Sequence, residues 1–182
     1  MTIEELTESF PSRPHEHRTG IHLKNVVDDL FKLLFAPKGE DGGFDEVALA
    51  RMECGFLFED ALSTAFGDRM APRYDSMECD GIACSPDGVR LESGIIEEYK
   101  VTWAGSHTRP PDANWRWMAQ VKGYCKVYGF RSVVFRVLYV CGDYAKPIRP
   151  QYKVFRCEFS ELEVEQNWQM ILNHARSKFG LV

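Results

Sequence analysis

The feature that most constrains the fold is the segment at 131–141, RSVVFRVLYVC, where apolar and β-branched residues follow one another almost without interruption. Such a run predicts a strand near the middle of a sheet, with both of its faces covered. Apolar residues at helical spacing occur before it, at 21–35, 44–66 and about 114–128, and after it, at 160–179. This order predicts an α/β fold with a central mixed β-sheet flanked by helices.

Shorter strand signals fill the rest of the chain. From Tyr74 to about Thr102, strand-like segments are broken at 85–88 and 92–94, and 151–159 suggests an edge strand. Ser160 followed by Glu163 has the spacing of a helix capping box, which predicts where the last helix begins.

Two prolines and a glycine interrupt any periodicity at the N-terminus, so residues 1–20 are expected to be an irregular arm and residues 21–182 a single domain. A chain of 182 residues is long enough for one domain with a sizeable core. No apolar run approaches the roughly 20 residues that span a bilayer. MTIEELTESF lacks the basic and apolar regions of a signal peptide. We therefore expect a cytoplasmic protein with no membrane partner.

The charge balance does not by itself indicate a nucleic-acid-binding protein. The 22 basic and 27 acidic residues give a formal net charge of −5. Net charge says nothing about local patches, however. Several basic residues follow the acidic segment described below and are candidates for contacts with a polyanion or for solvated surface charge: Arg109, Arg116, Lys122, Lys126 and Arg131.

The cysteines and histidines give no metal-site pattern. No two of the six cysteines are spaced as C-x-x-C, which favours free thiols in a reducing compartment over a zinc or iron–sulfur site. His15 and His17 lie in a stretch with proline and arginine and are expected to be in an exposed loop.

The candidate catalytic and metal-binding side chains are concentrated at 83–102, ACSPDGVRLESGIIEEYKVT. If 92–94 is the tip of a hairpin, Asp87 and Glu98 are equally far from it and face each other on paired strands. Opposed carboxylates repel unless a cation lies between them, and magnesium prefers such oxygen ligands. Lys100, two residues after Glu98, shares its face of the strand and can orient a water or offset charge in a transition state.

Three motifs in this order resemble the PD-(D/E)XK nucleases, in particular the phage lambda exonuclease-like and RecB-like branch. The first is SPDG followed by a turn and E-x-K, within 85–100. The second is Q-x-x-x-Y in MAQVKGYCKVYG, at 118–129, and the third is GFLFEDAL, at 55–62. The resemblance implies a single PD-(D/E)XK, or restriction endonuclease-like, domain.

The resemblance also implies roles for individual residues. The implied metal ligands are Glu59, Asp87 and Glu98. The backbone carbonyl of Tyr99 is a further candidate ligand, Lys100 is the implied catalytic lysine, and Gln120 borders the metal site. One alternative stays open: Asp80 in ECDGI competes with Asp87 for the place of the metal-binding aspartate, in which case SPDG is only a turn.

The implied function is hydrolysis of linear double-stranded DNA from an end, with Mg²⁺ or in its place Mn²⁺, during phage recombination or DNA processing. The resemblance further suggests a homo-oligomer, a phage single-strand annealing protein as partner, and a bacterial or phage-infected host cell. No iron–sulfur cluster is expected, because the clustered cysteines of some RecB-type relatives are absent. The alternatives are a structure-specific or restriction-like endonuclease and a catalytically silent DNA-binding module. The tryptophans Trp103, Trp115 and Trp117 either stack on bases or pack in the core.

Overall fold

The computed structural model describes residues 19–35, 46–103, 109–141 and 149–181. The expected arm at 1–20 lies outside these ranges except for its last two residues. His15 and His17 also lie outside them. The helices are α1 (Leu23–Phe35), α2 (Glu46–Phe66), α3 (Trp115–Tyr128) and α4 (Glu161–Phe179), and the strands are β1 (Ile21–His22), β2 (Met77–Cys79), β3 (Ile82–Cys84), β4 (Gly88–Arg90), β5 (Ile95–Thr102), β6 (Ser132–Tyr139) and β7 (Gln151–Glu158). Two short 3₁₀ turns cover Gly67–Arg69 and Pro111–Ala113.

The main sheet is mixed and has the strand order β4-β5-β6-β7. Strands β5 and β6 are parallel, whereas β4 and β7 run antiparallel to their neighbours. The apolar run at 131–141 therefore lies inside the sheet, and the strand at 151–159 lies at its edge among the described strands, as the sequence predicts.

The expected single sheet is divided in two. Strands β1, β3 and β2 form a separate three-stranded sheet, in which β1 pairs in parallel with β3. Between β3 and β4 lies Pro86, which has no backbone N–H to continue a ladder of hydrogen bonds. A strand of two residues such as β1 has no detectable periodicity. The apolar pattern at 21–35 therefore predicts that these two residues belong to the helix that follows.

Helix α3 packs on one face of the main sheet, and α1 and α4 pack against α3 to complete the core on this side. The alternate residues Val133, Phe135 and Val137 of β6 are fully buried against them, as is Trp168 of α4. Paired residues of neighbouring strands point to the same face of a sheet. Ile96, Glu98 and Lys100 of β5 pair with these three residues of β6 and therefore lie on the α3 side of the sheet. A smaller cluster on the other side joins α2 to β5 and consists of Leu62, Met70 and Tyr99 with Phe58 and Phe66.

Helices α3 and α4 begin where their sequences predict. Asn114 accepts a hydrogen bond from the backbone N–H of Trp117 at the start of α3 (3.3 Å). Ser160 and Glu163 form the expected reciprocal capping box, in which Ser160 Oγ accepts from the Glu163 N–H (3.2 Å). These caps satisfy amides that have no partner within the first helical turn.

Two of the three tryptophans serve packing. The ring of Trp115 contacts Phe31 and Phe35, with centroids 6.2 and 5.5 Å away, and Trp117 stacks on Phe135 at 6.3 Å. These contacts leave Trp115 and Trp117 anchored in the protein, which favours core packing over base stacking for both.

The cysteines are free thiols, as the sequence predicts. Cys84 and Cys125 are buried, and this burial raises the pKa of each thiol to about 12. Within the described ranges, no helix is both long enough and apolar enough to cross a membrane.

A buried ionic network fixes β4, β5 and β6 to one another on the α2 side of the sheet. The Glu97 carboxylate is 2% exposed and accepts hydrogen bonds from Arg90 Nε (2.8 Å), Arg136 Nε (3.2 Å) and the Tyr99 hydroxyl (2.9 Å). Burial raises the pKa of Glu97, but these three hydrogen bonds outweigh it and hold the pKa below its ordinary value. The network thus joins three strands through one charge.

Replacing Glu97 with glutamine should lower the free energy of unfolding by about 2–4 kcal/mol, because two partly buried arginines lose their counter-ion. Urea unfolding measures this loss. The matched control is Glu158→Gln, which removes an exposed partner of Arg156 and should cost less than about 1 kcal/mol. Equal losses in the two variants would contradict a structural role for the network.

Candidate active site

The hairpin between β4 and β5 brings two of the predicted acids together. Its turn covers 91–94, and Gly94 there adopts a positive φ of 64°. Gly88 pairs with Glu97 across the hairpin. The same antiparallel register places Asp87, the residue before β4, opposite Glu98, as the sequence predicts.

Two fixed contacts hold Asp87 in this position. Its Oδ2 accepts a hydrogen bond from the backbone N–H of Tyr99 (2.8 Å). The next residue, Gly88, lies so close to the segment before β2 that an added Cβ would be 2.8 Å from the Cβ of Ala71. The Val89 N–H also donates to the carbonyl of Pro72 (2.9 Å). The Tyr99 amide is therefore part of the site, a contact that sequence spacing does not reveal.

Glu98 combines deep burial with incomplete hydrogen bonding. Its side chain is 2% exposed, and Oε1 accepts a hydrogen bond from Lys100 Nζ. The other oxygen, Oε2, is buried and has no hydrogen-bond partner among the described residues. An unpaired buried carboxylate oxygen is costly. Its free lone pairs are available to a cation.

Glu59 of α2 completes the acidic group. Burial, and after it the charge of Asp87, raises the pKa of Glu59 to about 7. The same two causes raise the pKa of Glu98 to about 7, with a smaller contribution from Glu59. Asp87 thus contributes to the raised pKa of both glutamates. The structure brings Glu59, Asp87 and Glu98 into one cluster from three separate parts of the chain.

Two cations offset part of the negative charge of this cluster. Burial lowers the pKa of Lys100, but the charges of Glu98 and Asp87 outweigh it and hold the pKa above its ordinary value. Lys100 is therefore an ammonium ion at neutral pH, suited to donating hydrogen bonds and unsuited to accepting a proton. Arg73 lies 3.5 Å from Glu59 Oε2 and 3.4 Å from Asp87 Oδ1.

The cluster fits a hard divalent cation by its chemistry. Within the described residues, no three His, Cys, Asp or Glu side chains already stand as a preformed metal-ligand group. Arg73 and Lys100 instead supply the positive charge. The donors are nonetheless all carboxylate oxygens, the ligands that Mg²⁺ prefers, and one of them is buried with no partner from the described ranges. We regard the three acids as a site that a divalent cation would complete.

Gln120 and Tyr124 extend the site along α3, four residues apart on one face of the helix. Gln120 Nε2 donates to the Tyr124 hydroxyl (2.6 Å). Burial, followed by the charges of Glu98 and Asp87, raises the pKa of Tyr124 well above its ordinary value. The Gln120–Tyr124 pair therefore lies near the acids, where the sequence motif predicts it.

Asp80 has a different environment from Asp87. It occupies the turn between β2 and β3 with a positive φ of 50°, and its Oδ2 accepts from Trp168 Nε1 (2.8 Å). The structure thus places Asp87, and not Asp80, opposite Glu98.

Three of the five basic residues that follow in sequence are paired on helix surfaces: Arg116 with Asp28, Lys122 with Glu163 and Lys126 with Glu165. Their nearest acids belong to α1 and α4 and not to the cluster. Arg73, which does contact the cluster, belongs to no motif, and no sequence signal singles it out.

The raised pKa values of Glu59 and Glu98 predict a particular pH dependence. Both groups lose their protons near pH 4.5 in the unfolded chain and near 7 in the folded one. The folded chain binds more protons between these limits, so their contribution to stability falls as the pH rises from about 4.5 to 7. A metal ion needs the ionised carboxylates, so its affinity should rise at least about tenfold from pH 6 to pH 8.

Calorimetric titration with Mn²⁺ at pH 6, 7 and 8 measures this change in affinity. The exposed carboxylate variant Glu158→Gln serves as the control and should show the same pH profile as the unaltered chain. An affinity that is constant over this range would show that the two carboxylates do not bind the ion.

No protein-family profile matches this chain, and no curated protein resembles it significantly in sequence. Solved structures do resemble it in fold. A phage-related exonuclease from Haemophilus somnus 129PT superimposes with a TM-score of 0.54 at 16% identity, over 85% of this chain and 79% of that one. An alkaline exonuclease from Laribacter hongkongensis gives 0.53 at 14% identity, and its complex with dAMP gives 0.50 at 15%, each over 87% of this chain and 89% of theirs.

These similarities establish the class of fold: the chain is an α/β protein with the PD-(D/E)XK nuclease fold. Within that class, its fold is similar to those of the phage-related exonuclease and the alkaline exonuclease described above. The expected fold is confirmed.

Proposed function

We propose that the protein is a magnesium-dependent DNA exonuclease that hydrolyses linear double-stranded DNA, in phage recombination or DNA processing. The observation that carries this proposal is the buried Oε2 of Glu98, which has no partner in the part of the chain that the structure describes, with Asp87, Glu59 and Lys100 around it. The exonuclease neighbours support the same function, and dAMP, bound by one of them, is a DNA nucleotide.

In the proposed reaction, Glu59, Asp87 and Glu98 hold the Mg²⁺, for which Mn²⁺ can substitute. The ion, when bound, supplies Lewis-acid chemistry that lowers the pKa of water and offsets phosphate charge. A water oxygen attacks the phosphorus and releases a proton to the solvent, while the bond from phosphorus to the leaving oxygen breaks and that oxygen takes up a proton from the solvent. The Lys100 ammonium is positioned by Glu98 to donate to the attacking water or to the negative charge that develops on the phosphate.

The residues around the acids position the reacting groups. The Tyr99 amide fixes Asp87 opposite Glu98. Gln120, held by Tyr124, offers an amide for orienting the substrate beside the metal site. The burial of Glu98 on the α3 side, with Lys100 half-buried beside it, limits the access of bulk water, which strengthens electrostatic interactions there.

A cleavage assay with linear and covalently closed circular duplex DNA tests the proposed function. Mg²⁺ or Mn²⁺ should support release of nucleotides from linear DNA only, and Ca²⁺ should support little cleavage because its looser geometry positions water poorly. Cleavage of the closed circle would instead identify an endonuclease. Binding of DNA without any cleavage would identify a silent binding module, and undiminished cleavage in excess chelator would rule out the metal mechanism.

The resemblance to lambda-type enzymes also leads us to propose a homo-oligomer and a phage single-strand annealing protein as partner. Light scattering of the purified protein tests the first proposal. Co-purification of the protein with a phage single-strand annealing protein tests the second.

A further inference from the structure

The side chain of Arg73 contacts two of the three proposed metal ligands at once. Its guanidinium nitrogens lie 3.5 Å from Glu59 Oε2 and 3.4 Å from Asp87 Oδ1. The third acid, Glu98, is paired with Lys100 instead. Each acid of the cluster therefore has a cationic partner, and Arg73 is the partner of Glu59 and Asp87.

The two cations differ in how firmly they are held. Lys100 is 20% exposed and rises from the same strand as its partner, whereas Arg73 is 57% exposed and reaches the acids from a loop. Its two contacts are longer than the 2.7–2.9 Å typical of a strong charge-assisted hydrogen bond. An exposed ion pair of this kind contributes little to stability. The guanidinium can therefore leave the acids at little cost.

The backbone of Arg73, by contrast, is fixed beside the site. The preceding residues Met70 and Ala71 are buried, and the carbonyl of Pro72 accepts a hydrogen bond from the Val89 N–H of β4 (2.9 Å). The side chain thus departs from a rigid point next to Asp87. An arginine side chain that is released from the two carboxylates would therefore remain beside the acidic cluster.

We propose that Arg73 is an exchangeable counter-ion that yields Glu59 and Asp87 to the metal and then binds a phosphate of the DNA. A divalent cation competes with the guanidinium for the same carboxylate oxygens. The planar fork of donors that arginine presents then matches phosphate oxygens as well as it matches carboxylates. This role rests on the proposed function, since it needs both the metal and the DNA.

Two opposite effects of one substitution test the proposal. Removing the competing cation in Arg73→Gln should tighten Mn²⁺ binding about two- to fivefold, measured by electron paramagnetic resonance at pH 9, where the acids are ionised. The same variant should bind a short DNA duplex about tenfold more weakly in Ca²⁺, measured by fluorescence anisotropy, because a charged phosphate contact is lost. Arg73→Lys should restore Mn²⁺ affinity to that of the unaltered chain but not the full DNA affinity.

The matched control is Arg156→Gln on β7. Arg156 is 61% exposed and also pairs with a carboxylate, Glu158, so the substitution removes a similar ion pair away from the site. Both affinities of this variant should stay within about twofold of those of the unaltered chain.

Each outcome decides between the alternatives. Tighter Mn²⁺ binding with weaker DNA binding in Arg73→Gln supports the proposal, whereas Mn²⁺ binding that is unchanged or weaker overturns it. Unchanged DNA binding overturns it equally, because Arg73 would then be a counter-ion alone. The unaltered chain is measured first. If it neither binds Mn²⁺ nor cuts DNA, the proposed function itself fails. If the unaltered chain is active and Arg73→Gln behaves in the same way, only the role proposed for Arg73 fails.

Discussion

Replacing Lys100 with alanine should lower the rate of DNA cleavage at least about a hundredfold, the usual effect of removing one positioned catalytic group. The Lys100 ammonium donates to Glu98 and is kept charged by Glu98 and Asp87. Its loss removes positive charge from the place where negative charge develops on the phosphate. The metal ligands themselves stay in place, so Mn²⁺ binding and the fold should be largely retained.

The rate is measured with labelled linear duplex in saturating Mg²⁺, and folding is checked by circular dichroism. Lys126→Ala is the matched control, because Lys126 also pairs with a glutamate, Glu165, but lies on α3 away from the acids. It should cleave within about twofold of the unaltered rate. A Lys100→Ala protein that cleaves as fast as this control would show that the E-x-K pattern is accidental.

Replacing Asp87 with asparagine should abolish detectable cleavage and weaken Mg²⁺ binding at least about tenfold, because a ligand charge is removed. Asp87 is opposite Glu98 and accepts the amide of Tyr99, so its carboxylate is aimed by the backbone of the neighbouring strand. The isosteric asparagine keeps this hydrogen bond and loses only the charge. Cleavage rate and metal affinity together measure the effect.

Asp80→Asn provides the decisive comparison. Asp80 accepts from the indole of Trp168 in a turn with a positive φ, a conformation that asparagine tolerates, and its amide oxygen can still accept that bond. This variant should keep full cleavage activity and lose less than about 2 kcal/mol of stability. The reverse ranking of the two variants would place the metal at Asp80 and refute the site.

The parts of the fold that the sequence predicts depend on local signals. The apolar run at 131–141 predicts a strand inside the sheet, and the capping box at Ser160 predicts the start of α4; the structure confirms both. The distance of Asp87 and Glu98 from a hairpin tip at 92–94 predicts their pairing, because an antiparallel register follows from the turn alone.

The parts that the sequence does not predict depend on long-range packing. The separation of β1, β2 and β3 into their own sheet depends on contacts between distant segments, which periodicity cannot detect. The network around Glu97 joins Arg90 and Arg136, and each of these residues alone has the sequence pattern of an ordinary strand charge.

Arg73 is a similar case, because its place at the acids follows from the packing of its loop on β4. The basic residues after Thr102, which the sequence leaves open between contacts with a polyanion and solvated surface charge, are decided by packing as well. They are near the acids in sequence, but three of them pair with acids of other helices.

Mn²⁺ binding to the unaltered chain and to Glu98→Gln, measured by electron paramagnetic resonance at pH 8, tests the central claim most directly. The claim is that the buried carboxylate of Glu98 is part of a divalent-cation site formed with Asp87 and Glu59. We expect the unaltered chain to bind the ion and Glu98→Gln to bind it at least about tenfold more weakly, with its fold intact. Equal affinity in the two proteins, or no binding by the unaltered chain, would contradict the claim.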